Sequence, residues 1–174
     1  MKKYPLLVIS LLTLLISCKG NSQQKPENSL NCSEYWANVR MNDFCGLAAG
    51  HFEFNTIPVD ICNADQNDDT YPFDDLVSIR VYNHFSEVAA KQAFNQEEAD
   101  AVALGNYLVA DDIGDDGFAL ISVQFGELDS AIIQTVKGTF TVYVEVNGKA
   151  HNGARNCFDK DTVLEFAKAL VHPL

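Results

Sequence analysis

Residues Asp111 to Gly148 read DDIGDDGFALISVQFGELDSAIIQTVKGTFTVYVEVNG, and the alternation inside this stretch decides the fold. Phe140, Val142, Val144 and Val146 alternate with Thr139, Thr141, Tyr143 and Glu145. That is the two-residue period of a strand with one buried and one wet face. Lys137-Gly138 is placed for a two-residue hairpin turn, because glycine adopts positive φ without steric cost. With that turn, Ile133 falls opposite Val142 and Ala131 opposite Val144, so the apolar faces agree. Upstream, Ala119, Ile121, Val123 and Phe125 share one face of a further strand. The stretch therefore predicts an acidic turn followed by a three-stranded antiparallel meander.

Working outward, Leu76 to His84 predicts a strand with Val77, Ile79 and Val81 facing one way and Ser78, Arg80 and Tyr82 the other. Ser86 is placed to cap a helix over Glu87–Leu104, closed by Gly105. Its face of Ala89, Ala90, Ala93, Phe94, Ala101 and Leu104 suits packing on a sheet, and Asn95-Gln96 is a place where it can break. Asp159 or Asp161 caps a last helix whose stripe is Val163, Phe166, Ala167, Leu170 and Val171. Nearer the start, Ser33 is expected to cap a helix reaching about Phe44, with Trp36, Val39 and Met41 or Phe44 buried. His51–Phe54 and Val59–Cys62 read as short strands around an Asn55–Pro58 turn, and Asn63 to Asp75 as an aspartate-rich loop. Helices collected mainly on one face of an antiparallel sheet give a two-layer α+β fold.

The chain begins with Met1-Lys2-Lys3 and an apolar run from Pro5 to Ile16, too short to span a bilayer, so residues 1–17 read as a secretory signal. Its end, Leu15-Ile16-Ser17-Cys18, resembles the bacterial lipobox. That resemblance implies cleavage before Cys18 and a diacylglycerol on its thiol, with several acyl chains giving firm anchoring at about 0.8 kcal/mol per buried methylene. Residues 18–30 then read as the lipidated cysteine and a polar flexible tether. Residues 31–174 read as a single α+β domain. The implied location is the cell envelope, on the outer membrane or cell surface.

The chain carries 12 basic and 24 acidic side chains, a net charge of −12; loss of Lys2 and Lys3 with the signal leaves 10 against 24, or −14. Such a surface disfavours nucleic acid and bare anionic lipid. Apart from Cys18 there are four cysteines, Cys32, Cys45, Cys62 and Cys157, and an even number in an exported chain favours two disulfides with three possible connectivities. If the two short strands pair, Cys45 and Cys62 come together, and by elimination Cys32 joins Cys157.

Ile113-Gly114-Asp115-Asp116-Gly117-Phe118, followed by the Lys-Gly turn, a strand and a closing helix, resembles small bacterial lipoprotein domains, some with PsbP-like two-layer folds. The resemblance runs from about Val77 onward, and Gly117 stands where those turns more often carry alanine. It implies a fold and a surface location, with no activity attached.

Clustered carboxylates invite a divalent cation, which makes Asp111, Asp112, Asp115 and Asp116 the metal candidates. The EF-hand spacing fails, because position twelve is Ser122 counted from Asp111 and Val123 counted from Asp112. A solvated acidic connection accounts for the same residues, and for Asp65, Asp68, Asp69, Asp74 and Asp75. His51 and Glu53 share a strand face, as an acid–base pair requires, but nothing completes a hydrolase signature. His84, His151 and His172 fall at element ends. Tyr82, Tyr107, Tyr143 and Phe118 line the wet sheet face unless the second helix covers it. No cofactor motif is written in the chain.

These observations predict a lipid-anchored envelope domain with a non-catalytic binding or interaction role and an envelope protein as a possible partner. The alternatives are a cation-dependent binding module on the aspartate loops and a small envelope hydrolase.

Overall fold

Seven strands form one antiparallel sheet in the order β1-β2-β3-β7-β6-β5-β4 in a computed structural model that describes residues 29–56, 60–149 and 153–174. The elements are α1 (Cys32–Asn38), β1 (Phe52–Thr56), β2 (Ile61–Gln66), β3 (Leu76–Asn83), α2 (Glu87–Ala101), β4 (Tyr107–Val109), β5 (Asp116–Gln124), β6 (Glu127–Lys137), β7 (Phe140–Asn147) and α3 (Lys160–Val171). Single 3-10 turns occupy Met41–Asp43 and Ala49–His51. This is the expected α+β fold. Cys18, the signal segment and most of the tether lie outside the described residues, as do Ile57 and Pro58 of the expected turn, Val59 of the expected strand and His151.

The central hairpin keeps the expected faces in a different register. Its turn is Gly138-Thr139, one residue later than the alternation suggested, and Lys137 pairs with Phe140. Ile133 therefore faces Val144 and Ala131 faces Val146. A two-residue slip leaves every side chain on its original face, so hydrophobic patterning alone does not distinguish the two registers. Gly138 has φ +54, and glycine fits that left-handed position without a Cβ penalty. The β5–β6 turn is Phe125-Gly126, both at positive φ, so Phe125 leaves the strand face on which it was expected and is 91% exposed.

One sheet face carries the main core. Ala64, Ile79, Val144, Ile133 and Ala119 form a continuous cross-strand row, each fully buried. α1 and α3 cover it with Tyr35 and the whole expected α3 stripe, Val163 to Val171. Asp159 caps α3 as predicted, accepting from the Asp161 and Thr162 amides. α1 is shorter than expected and is capped by Asn31, not Ser33. Val39 and Met41 are buried as expected, but Tyr35 takes the inward place given to Trp36 and donates to the Leu170 carbonyl at 2.7 Å.

α2 lies on the opposite face. Its Ala90, Phe94 and Ala101 pack with Phe118 and Val136, which alternate out of phase with the main core. Ser86 caps it, and the helix runs unbroken through Asn95-Gln96.

The disulfides are Cys32–Cys62 and Cys45–Cys157, with Cα–Cα distances of 5.3 and 5.8 Å, which corrects the expected Cys45–Cys62 and Cys32–Cys157. The reason lies in the first hairpin. β2 continues to Gln66, inside the expected loop, and the open end of the hairpin is Phe52 against Gln66. Cys62 falls opposite Thr56 near the turn, away from Cys45 and on the buried face that α1 covers. Ala64 between Asn63 and Asp65 is the period-two signal that the aspartates obscured.

Candidate functional site

α2 covers only part of its sheet face. Its apolar residues seat it over Phe118 and Val136, leaving the adjoining surface of β3 and β7 uncovered. A groove of about 510 Å³ results, walled by α2 and floored by the sheet. From β3 come Arg80 and Tyr82, with His84 just past its end; from β7, Thr141 and Tyr143; from β6, Gln134. Ala93, Gln96 and Glu97 form the helical wall, with Ala93 keeping it low.

The floor is ordered by cross-strand pairing. Arg80 lies opposite Tyr143, and Tyr82 opposite Thr141. Arg80 Nη1 is 2.9 Å from Asp65 Oδ1, which also accepts from Ser78 Oγ at 2.6 Å. Tyr143 donates to Glu145 at 2.9 Å; burial first, and then that carboxylate, push its phenol up to about 12. The phenol therefore stays protonated throughout the physiological range. His84 Nε2 and Thr141 Oγ1 are 2.9 Å apart, and burial lowers the pKa of His84, which favours the neutral ring. Arg80 and Glu97 are the charged residues of the lining, one of each sign.

The expected aromatic face divides into two parts. Phe118 and Tyr107 stack at 5.9 Å between centroids and belong to the small core under α2. Tyr82 and Tyr143 remain in the groove. The polar faces of β3 and β7 were legible as alternation. Where the edge of α2 would stop was not.

The acidic turn is tied to three elements. Asp112 reaches Lys168 on α3 at 2.7 Å; Asp115 reaches Lys137 at 3.0 Å and accepts the Gly138 amide at 2.7 Å; Asp116 pairs with Lys91 on α2. Lys168 holds the Asp112 carboxyl below the usual range, and the Gly138 amide followed by Lys137 does the same for Asp115. The turn is also docked from beneath, with Ile113 buried in the main core and Thr135 reaching the Asp116 carbonyl at 2.8 Å. A Cβ on Gly117 would lie 2.7 Å from the Ala110 carbonyl oxygen, so alanine does not fit here without a shift. Asp111 is exposed.

The other acidic residues are similarly dispersed. Asp75 is fully buried and accepts the Cys157 and Phe158 amides, each at 3.0 Å, while its other oxygen takes the Tyr71 hydroxyl. Asp74 accepts the Arg155 amide, Asp68 the Gln66 side chain, and Asp69 is exposed. His51 ends a 3-10 turn, its Nδ1 accepting from the Ala48 amide, while Glu53 is exposed on β1. They form no acid–base pair with one another. Among the described residues no group of three or more His, Cys, Asp or Glu side chains is placed to hold a metal ion. No helix among them is long and apolar enough to cross a membrane.

No protein-family model, curated protein or solved structure matches the chain.

Proposed function

We propose that this protein is a lipid-anchored domain of the bacterial cell envelope that binds a ligand between α2 and the β3–β7 floor, without catalysing a reaction on it. The groove carries this reading. It is the right size for a small-molecule or short-chain site, and polar groups converge on it from four elements. The lipobox ending at Cys18 supports the anchor, as in small bacterial lipoproteins with PsbP-like folds, and the two disulfides suit an oxidising compartment.

Two measurements test it. Intact mass of the mature chain should show acylation on Cys18, and Cys18→Ala should block processing; an unmodified chain cut elsewhere sinks the anchor. Amide NMR of the mature chain in small-molecule envelope extract should perturb residues around Gln96 and Gln134, with the response lost in Ala93→Trp. Perturbation confined to other surfaces, or none, removes the groove reading.

A further inference from the structure

Resting on that groove, we propose that its ligand is a neutral oligosaccharide. The first ground is charge. In a chain of net charge −12, the lining carries one cation and one anion, and Arg80 is already held by Asp65. Neither an anionic nor a cationic ligand finds a net countercharge there. The second ground is hydrogen-bonding chemistry. Gln96, Gln134 and Thr141 each donate and accept, the complement required by hydroxyl groups that also do both.

The third ground is the pair of tyrosines. Their positions on paired strands make Tyr82 and Tyr143 diagonal neighbours, about 7–8 Å apart. Two such rings offer apolar faces to the C–H faces of successive sugar rings while their hydroxyls stay polar. The fourth ground is shape. A smaller hollow of about 260 Å³ continues along the strands past Ser78, Glu145 and Asn147, on the same side of the sheet. Its three carboxylates are engaged within the fold, Asp65 by Arg80 and Ser78, Asp68 by Gln66, and Glu145 by Tyr143 and Asn147. At about 3.4 Å per residue the floor along β3 extends roughly 27 Å, which suits a chain of sugars more than a single ring.

The mature chain is titrated calorimetrically with three neutral tetrasaccharides: β-1,4-linked glucose, β-1,4-linked N-acetylglucosamine and α-1,4-linked glucose. Tri-lysine and inorganic phosphate run beside them. At least one tetrasaccharide should saturate with a Kd tighter than about 10 mM. Tyr143→Ala and Gln134→Ala should each weaken it about fivefold, the loss expected for one contact, with a retained cooperative melting transition showing that the variants fold. Absence of saturation by all three sugars overturns the proposal, as does sugar binding that both variants leave intact. Tri-lysine or phosphate binding sensitive to those variants also overturns it, while leaving the groove itself as a binding site. Absence of any extract response at the groove of the unaltered protein in the NMR test removes the site as well.

Discussion

Asp75 shows how a single side chain can join two distant parts of the chain. Its carboxyl receives two amides from the segment preceding α3 and the Tyr71 hydroxyl, all at a position without solvent access. Asp75→Ala leaves those donors buried without an acceptor, and a stability loss of about 2–4 kcal/mol is expected in urea unfolding. Asp75→Asn, which keeps one accepting oxygen, should lose less. Equal losses would mean that the cavity, and not the donors, sets the cost. None of this was legible in NADQNDDTYPFDD, because which aspartate turns inward depends on a segment about 80 residues away. Gly117 is the same kind of case: its need appears only once the Ala110 carbonyl is seen beside it.

Among the elements, the acidic turn is the solvated connection expected of it, with the Asp112 and Asp115 side chains 65% and 53% exposed. Its periodicity did not show that three of its carboxylates bridge to α3, to α2 and to the β6–β7 turn. The depressed carboxyls of Asp112 and Asp115 favour the folded state in their charged form. Their contribution is therefore present above the ordinary carboxylate pKa of about 4 and is lost as pH falls below it through the depressed folded values. Melting temperature should drop on that acid limb, and Asp115→Asn should flatten the drop. Calcium should shift melting no more than sodium at matched ionic strength. A saturable rise with micromolar calcium, abolished by Asp115→Asn with Asp116→Asn, would instead establish a cation site. The meander, the capped α2 and the α3 stripe were legible because each is written in local periodicity. The hairpin register was not, since a slip of two residues preserves every face.

For the whole molecule, the disulfides set the connectivity of the unfolded state. In the loop-entropy model the Cys32–Cys62 bond, closing 30 residues, contributes about 3.6 kcal/mol, and Cys45–Cys157, closing 112, about 4.8 kcal/mol. Replacing both cysteines of a pair with alanine should therefore destabilise the protein more for Cys45 and Cys157 than for Cys32 and Cys62. The reverse order in denaturant unfolding would assign the difference to native packing around α1. Non-reducing peptide mapping checks the pairing directly.

The Cys32–Cys62 bond has a mechanical meaning. A pull on the proposed anchor would enter the domain through Asn31 and reach a cross-link at the next residue. That cross-link passes the load into β2, which is held on one side by β1 and on the other by β3. α1 is then bypassed, and the residues between Cys32 and Cys62 cannot pay out as slack. The oxidised domain would meet tension at its sheet, whereas the reduced one would first be stripped of its leading helix.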